Sequence, residues 1–449
     1  MAELETLVAH LEAVVQEQAA VIVRQTAEIE RLGGRGGSGK TPQNSSVPPS
    51  AAVPANRSTA PAKKRGARKG HAGRSRLRCQ PDRVLTLRPT RCRRCAEVLT
   101  GVPGHVKGRS QQVELPPVKP LVVEVVRTRC RCPNCGTNNV AASPLGWDPR
   151  QRFGPRLQGL LAYLHHHQHV GYARLRQLLA DLFGLTISEG AIAAALARTA
   201  RALQGTYAAI GEQVRGSAVV GSDETRQRVA GENQWSWVVQ SSTAAYHWVG
   251  ESRATKELLD FFDGVCPEVQ GSDCFSAQLA SPVAAKQVCM AHQLRDLKYA
   301  QEHGDRQYAP KMARLIRLAI RLAKRRTRLC ERLFAHQAGR LRRLGHVLGW
   351  VLRVQNPFGE AMQERYQRLE RHWWVFLERS DVEPTNNASE RALRPVVVHR
   401  KVNGGFRSDW GAEGYARFVS VVQTAQKQGQ AILPALLQIL VPHPAPIPE

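Results

Sequence analysis

Three acidic residues stand where a fold could bring their carboxylates together. Asp223 ends a short apolar run, and Asp273 ends a second strand-like run. Glu390 follows in the sequence Glu383-Pro-Thr-Asn-Asn-Ala-Ser-Glu390. Carboxylate oxygens suit Mg²⁺ and Mn²⁺, and two such ions can activate the attacking oxygen and stabilise the leaving oxygen of a phosphodiester. We therefore predict that Asp223, Asp273 and Glu390 hold Mg²⁺, or Mn²⁺, in a catalytic site.

The elements around the two aspartates predict how these residues meet. From Ser217 the pattern changes to three strand-like segments, then a helix to Phe262, and then the strand that ends at Asp273. This order is that of an α/β ribonuclease-H-like core, in which the first and fourth strands lie side by side. The two aspartates would then be neighbours.

Glu390 is one of several acids that could complete the site. Two carboxylates cannot neutralise two divalent ions around a phosphodiester, so a third acidic ligand is expected. Thr385, Asn386 or Asn387 would cap a new helix and place Glu390 in its first turns. The acids that could substitute for one of the three are Glu224, Glu378, Asp381 and Glu383.

Two cysteine pairs predict a second metal site. They are Cys92-x-x-Cys95 and Cys132-x-x-Cys135, and the strand-like run Leu121–Val126 lies between them. Each pair can put two thiolates on one turn, and two such turns together make a tetrahedral site for structural Zn²⁺. Cys130 is a rival ligand. The alternative is that these cysteines belong by coincidence to a basic loop.

The charge balance indicates a polyanionic partner, with DNA as the obvious candidate. There are 64 Lys and Arg against 37 Asp and Glu, a formal net charge of +27. One helical stretch carries arginines at steps of three or four, opposite Leu315, Leu318, Ile320 and Leu322. The predicted DNA contacts are Arg314, Arg321, Arg325 and Arg328 from this stretch, with Arg391, Arg394, Arg400 and Lys401. A merely solvated face is the alternative.

The pattern along the chain predicts several domains. Apolar residues at heptad spacing in 1–32 indicate a leucine-zipper-like coiled coil, and hence a homo-oligomer, with a lone amphipathic helix as the alternative. The further segments are a flexible basic linker at 33–78, a zinc-finger domain at 79–148, a helical, helix-turn-helix-like region at 149–210, the ribonuclease-H-like core at 211–430 with a helical insertion at about 290–378, and a C-terminal tail at 431–449. The region at 149–210 could equally be a plain helical bundle, and one of its helices should begin at Ser188.

The linker contains a misleading match to a phosphate-binding loop. Gly34–Thr41 fits the pattern GxxxxGK[ST]. That loop works only between a buried strand and a helix, whereas here a heptad helix precedes it and prolines follow. We do not expect nucleotide binding.

Several other residues receive a structural interpretation. Cys289 and His292 show no second ligand pair, and Trp373 and Trp374 are expected to pack in a core. The run His165–His169 is expected to be solvated or to face phosphate, because adjacent helical positions point in different directions.

Neither a membrane nor a secretory route is indicated. No stretch approaches the roughly 18 uninterrupted apolar residues of a spanning helix. The start, Met1-Ala-Glu-Leu-Glu, lacks the basic-then-apolar pattern of a secretory signal. We expect a cytoplasmic, nucleoid-associated protein with no membrane partner.

These motifs together resemble a transposase of the bacterial insertion sequence 66 family. The resemblance rests on Asn44–Ser50, Asp223-Glu-Thr225, Cys289-Met-Ala-His292 with Arg295, and Glu383–Pro395, and covers nearly the whole chain. It implies an Asp-Asp-Glu enzyme that cuts and joins the DNA of an insertion sequence, with Glu390 as the catalytic glutamate and possible accessory proteins of the same element. The chain departs from the family pattern at Asp273-Cys-Phe275 and Val402–Phe406.

Two other functions compete with this one. A non-catalytic zinc-ribbon DNA-binding regulator would explain the charge, the coil and the cysteines, but not three acids at motif positions. A metal-dependent nuclease without strand joining would use the same residues.

Overall fold

We describe a computed structural model of the chain over residues 78–144, 147–148 and 150–441. The predicted coiled coil, almost all of the linker and the decoy loop at Gly34–Thr41 lie outside the described residues. So do the last residues of the predicted tail, 442–449.

Along the chain, two short strands are followed by a group of helices, then by the strands of a sheet, and then by a second group of helices. The strands are β1 (Arg129–Arg131), β2 (Asn138–Val140), β3 (Val219–Val229), β4 (Glu232–Gln240), β5 (Ala245–Gly250), β6 (Val269–Ser272) and β7 (Ala285–Val288). The helices before and within the sheet are α1 (Pro155–Ala162), α2 (Tyr172–Phe183), α3 (Glu189–Ala202), α4 (Gln204–Arg215), α5 (Lys256–Phe262) and α6 (Ser276–Leu279). Those that follow are α7 (Met290–Glu302), α8 (Ala309–Lys324), α9 (Glu331–His346), α10 (Pro357–Leu369), α11 (Val375–Glu378), α12 (Asn387–Asn403), α13 (Asp409–Lys427) and α14 (Ile432–Leu440).

Five strands form one mixed sheet in the order β5-β4-β3-β6-β7. β3 pairs antiparallel with β4 and parallel with β6, and β7 pairs parallel with β6. The prediction that the first and fourth strands of this unit are neighbours is confirmed. The strand order itself defines an α/β core with helices packed on it.

The sheet and its helices enclose two hydrophobic cores. One joins β3 and β4 to helices α1 to α5 and α12 to α14, and includes Trp237, Phe262 and Phe418. In it α13 packs against β5 and α3, and α12 crosses β3 and β4. The other core lies among α7 to α11, where Trp373 and Trp374 are buried, as predicted.

In the helices before the sheet, the predicted helix start at Ser188 is confirmed, and the predicted exposure of the histidine run is wrong. Ser188 caps α3, since its Oγ accepts a hydrogen bond from the N–H of Ala191 at 3.2 Å. The histidine run is not the solvated surface we expected. It forms a π-helical turn at Tyr163–His167, and His166 is buried against Phe418 with a ring separation of 5.0 Å. The aromatic side chains of α13 supply that burial, which local periodicity did not indicate.

The segment assigned to the C-terminal tail begins with the helix α14. Leu436 of this helix is fully buried, and Leu437 and Leu440 approach Gly159 of α1. A Cβ at Gly159 would lie 3.0 Å from Leu437. The end of the described chain therefore packs back onto its helical beginning.

Candidate active site

The sheet places Asp223 and Asp273 at the same level of two neighbouring parallel strands. The parallel pairing runs from Val219 opposite Val269 to Gly221 opposite Gly271. Each aspartate follows two residues after the last paired glycine of its strand. Paired strands lie about 4.8 Å apart, and alternate residues share a face. The register therefore brings the two aspartates near each other, and the charge of Asp273 raises the pKa of Asp223.

The start of α12, whose first turn contains Glu390, packs closely against β3. A Cβ at Gly221 would lie 2.7 Å from Ser389 Oγ and 3.1 Å from Asn386 Oδ1, so only glycine leaves room for the helix. Glu390 directly follows Ser389, and Asp223 shares the face of Gly221. The predicted third acid lies close enough to Asp223 for its charge to raise the pKa of that carboxyl.

Polar bonds hold that helix start in place. Asn386 Nδ2 donates to the carbonyl of Ser222 at 2.7 Å, and Ser389 Oγ accepts from Gln240 Nε2 at 3.0 Å. The helix begins where the sequence predicted, but the side chain of Asn386 makes no cap hydrogen bond. It serves a tertiary contact to β3 instead, because Gly221 brings the strand within its reach.

The carboxylates interact electrostatically. Burial, first, and then the charges of Glu224, Asp273 and Glu390 raise the pKa of Asp223 well above its ordinary value of 3.8. The N–H of Glu224 donates to Asp223 Oδ1 at 2.9 Å and opposes this rise. A cluster of mutually repelling carboxylates is the donor set that a hard divalent cation relieves.

Glu390 lies among side chains of α7. Its Oε1 is 3.6 Å from His292 Nε2 and 3.4 Å from Arg295 Nη2. The N–H of Met290 donates to the carbonyl of Pro384 at 2.9 Å. The two separate motifs, at 289–295 and 383–390, therefore form one structural unit.

Glu224, offered in the sequence as a substitute ligand, occupies the other side of β3. Its carboxylate is 1 % exposed and lies 2.6 Å from Arg253 Nη2. It also accepts from Gln278. Burial, and then the charge of Asp273, raise its pKa, while Arg253 and Gln278 lower it. Glu224 is thus held by α6 and the β5–α5 loop.

Arg253 connects this buried carboxylate to Asp273, which the sequence did not indicate. Its guanidinium stacks on the ring of Phe275 at 3.7 Å from the ring centre. The N–H of Phe275 donates to Asp273 Oδ1 at 2.9 Å. A cleft of about 310 Å³ opens beside these groups. It is lined by Arg253, Asp273, Cys274, Phe275, His292, Gln293, Asp296, Arg365 and Arg368.

The other substitute acids lie outside this arrangement of contacts. Glu378 pairs with Arg342, and Asp381 pairs with Arg379 at 2.7 Å. Glu383 is exposed.

The two cysteine pairs each form a turn of the same shape. The carbonyl of Cys92 accepts from the N–H of Ala96 at 3.0 Å, and that of Cys132 accepts from Gly136 at 2.9 Å. Ala96 and Gly136 both have positive φ, at 57° and 71°. A hydrogen bond with Thr137 is the largest of the effects that lower the pKa of Cys135 to about 7, and backbone bonds lower that of Cys92.

The sulfur atoms of the two turns are farther apart than the ligands of a formed zinc site. Within the described ranges, three or more of the sulfur atoms of Cys92, Cys95, Cys132 and Cys135 do not come within 4.8 Å of one another. The expected strand Leu121–Val126 does not form. Its Leu121 is 79 % exposed, and the short strands β1 and β2 pair only with each other. No neighbouring strand among the described residues satisfies that run.

The arginines of α8 lie on its exposed face. Arg314, Arg321 and Arg325 are exposed, as is Arg328 in the 3₁₀ turn that follows. The buried face is displaced from the one expected. Leu315 and Leu322 are buried with Met312, Ile316 and Ala319, whereas Leu318 is 40 % exposed and Ile320 is half-buried. The period of 3.6 residues places Ile316 and Ala319 on the buried face and turns Leu318 toward solvent.

The cationic residues of α12 divide into two kinds. Arg391, Arg394 and Lys401 are exposed. Arg400 is half-buried, and its guanidinium donates to Thr225 Oγ1 at 3.3 Å and to the carbonyl of Arg226. It anchors the end of α12 to β3.

The fold and the site define a mixed α/β protein with carboxylates gathered where two parallel strands part. The sequence model of the Transposase IS66 family matches residues 150–414, which is more than half of the chain. The chain therefore belongs to the IS66 family of transposases, which confirms the resemblance seen in the motifs and gives it a general role in DNA transposition. No curated protein matches the chain. Over the described residues, no helix is both long and apolar enough to span a bilayer.

Proposed function

We propose that this transposase cuts and joins DNA in an Asp-Asp-Glu site formed by Asp223, Asp273 and Glu390, on a ribonuclease-H-like core. The observation that carries the proposal is the approach of the Glu390 helix to β3 over Gly221, with Asp223 and Asp273 in register beneath it. The charges of Asp273 and Glu390 both raise the pKa of Asp223, which supports a shared site for the three acids.

The donor set fits Mg²⁺ or Mn²⁺, because it offers oxygen atoms from three carboxylates. Such ions supply charge neutralisation at the phosphodiester and activation of the attacking oxygen. The protein's own residues hold the ligands in position. Phe275 orients Asp273 through its N–H, and Arg295 lies against Glu390.

The cleft beside Asp273 suits a DNA strand. Arg253, Arg365 and Arg368 line it together with Asp273, and guanidinium groups bind phosphate in bidentate fashion. The exposed arginines of α8 and of α12 would extend the contact along the DNA backbone. Two further proposals are the Zn²⁺ site at Cys92, Cys95, Cys132 and Cys135 and self-association through residues 1–32.

The test replaces each ligand by its amide of the same size. Asp223→Asn, Asp273→Asn and Glu390→Gln should each lower cleavage and joining of linear element ends in Mg²⁺ by orders of magnitude, comparable to the several kcal/mol that a catalytic metal contributes. DNA binding, measured by gel shift, should survive because it depends on the cationic residues. Glu383→Gln is the matched control, since Glu383 is exposed in the same motif.

The competing functions give different outcomes. Cleavage without joined products would indicate a nuclease. Parent protein that binds the ends and never cleaves them, in either metal, would indicate a regulator. Full activity of all three variants would refute the proposed site.

A further inference from the structure

A second set of metal-ligand atoms surrounds Glu390. Cys289, His292 and Glu390 each offer one ligand atom, and these atoms all lie within 4.8 Å of one another. Cys289 directly precedes α7, His292 lies in its first turn, and Glu390 lies in the first turn of α12. The pair Cys289 and His292 thus has a third partner that is about one hundred residues away along the chain.

The spacing is close to that of a tetrahedral metal site. His292 Nε2 and Glu390 Oε1 are 3.6 Å apart. Two ligands at zinc distances of about 2.0–2.1 Å and a tetrahedral angle lie roughly 3.4 Å apart. Small side-chain rotations would therefore bring these two atoms to zinc distances, and with Cys289 the protein would supply three of the four ligands, with solvent as the fourth.

The protein leaves His292 without a hydrogen bond. Its Nδ1 is buried and has no partner among the described residues. Its Nε2 faces Glu390 at 3.6 Å, which is too long for a hydrogen bond. The ring is only partly exposed, and a cation at Nε2 would give that nitrogen a polar partner while Nδ1 carries the proton.

Cys289 is also prepared to be a ligand. Its side chain is 1 % exposed, and its Sγ accepts a hydrogen bond from the N–H of Asn386 at 3.1 Å. Backbone donors to sulfur stabilise a metal-bound thiolate. On metal binding the thiol releases its proton to solvent, and the thiolate and the Glu390 carboxylate neutralise a divalent ion. No electron is transferred.

The chemistry of this set differs from that of the catalytic set. Sulfur, imidazole nitrogen and one carboxylate favour Zn²⁺ and ions like it, whereas oxygen-only sites favour Mg²⁺. We infer that Cys289, His292 and Glu390 form a Zn²⁺ site that withdraws Glu390 from Asp223 and Asp273. Zn²⁺ bound there inhibits the transposase. The inhibition rests on the proposed function, but the zinc site does not.

The binding test compares zinc content in the full-length protein. Parent, Cys289→Ser and Cys266→Ser are loaded with Zn²⁺, equilibrated with a competing chelator and analysed for zinc per chain. Cys266 is an exposed cysteine and serves as the matched control. Cys289→Ser should hold one zinc ion fewer than the parent and the control. Equal zinc content in the parent and Cys289→Ser overturns the inference.

Because Cys289 is buried, a second variant protects this test against misfolding. His292→Gln should show the same loss of one zinc ion, and thermal melting checks that each variant is folded. In Co²⁺-loaded protein, the parent should show thiolate-to-cobalt absorption in excess of that of His292→Gln. Identical spectra overturn the site.

The inhibition test measures cleavage in Mg²⁺ with and without added Zn²⁺, relative to each variant's own rate in Mg²⁺ alone. Cys289→Ser should need about 10- to 100-fold more Zn²⁺ than the parent for the same inhibition. Loss of even an indirect partner of a metal lowers the metal affinity by that factor. Equal sensitivity refutes the competition for Glu390. A parent that never cleaves contradicts the proposed function, and the zinc comparison still decides the site.

Discussion

The contact over Gly221 can be tested by adding a single methyl group. In Gly221→Ala the new Cβ would meet Ser389 Oγ at 2.7 Å and Asn386 Oδ1 at 3.1 Å. Neither atom can turn away freely, because Ser389 Oγ accepts from Gln240 and Asn386 donates to the carbonyl of Ser222. The helix start that carries Glu390 must therefore move away from β3.

The size of the effect follows from these distances. Relaxing the contact from 2.7 Å to an ordinary separation of about 3.4 Å requires a shift of roughly 0.7 Å, and a displacement near 1 Å can cost about 10²-fold in rate. Overpacking of this kind costs about 1–3 kcal/mol of stability. About 2 kcal/mol would lower the Tm by roughly 4–8 °C in a domain of 150–250 residues. We expect the cleavage rate to fall by about 10²-fold in a protein that remains folded at the assay temperature.

The assay measures Mg²⁺-dependent cleavage of linear element ends together with thermal unfolding. Gly271→Ala is the matched control, since Gly271 pairs with Gly221 and its new Cβ would meet only Val220 O, at 3.9 Å. That variant should cleave at nearly the parent rate. Adding Ser389→Ala to Gly221→Ala should restore part of the activity by removing the closest contact. The reasoning is refuted if Gly221→Ala cleaves as fast as Gly271→Ala.

Three further predictions concern other parts of the molecule. If the proposed zinc finger exists, Cys92→Ser in the full chain should lose one zinc ion by metal analysis while Cys130→Ser retains it. In a chelator, the contribution of Asp223 to stability should be complete below its unfolded pKa near 3.8 and be lost as pH rises through its raised folded pKa. Asp223→Asn should therefore flatten the fall of Tm with pH, and an unchanged slope would count against this. Arg253→Gln leaves the carboxylate of Glu224, 1 % exposed, without its ion pair. Because Arg253 is partly exposed, we expect about 1–3 kcal/mol of destabilisation, less than the 3–5 kcal/mol of a fully buried pair, and no change in Tm would contradict that assignment.

Local patterns in the sequence determined the elements that carry the site. The apolar runs that end at Asp223 and Asp273 are strands, and a helix begins just before Glu390. These features depend on neighbours within a few residues, which is the range over which periodicity and end signals act. The family motifs predicted which acids matter, and the family is confirmed over 150–414.

The predictions that proved wrong depended on whether a distant segment packs against the residues concerned. His166 is buried because α13 lies over it, and the run Leu121–Val126 has no adjacent strand within the described part of the chain. The two cysteine turns formed locally, as expected. Their convergence depends on the path of the chain between them.

Only the tertiary structure decided which side chains meet around Glu390. Asn386 has the composition of a helix cap, yet it bonds β3 because Gly221 lets the helix approach. Cys289 and His292 have no second ligand pair in the sequence. In the structure, the hydrogen bond between Met290 and Pro384 joins their helix to the segment of Glu390, which lies beside them. Residue type and spacing specify what a side chain can do, but strand register and the close approach of two backbones determine which partner it reaches.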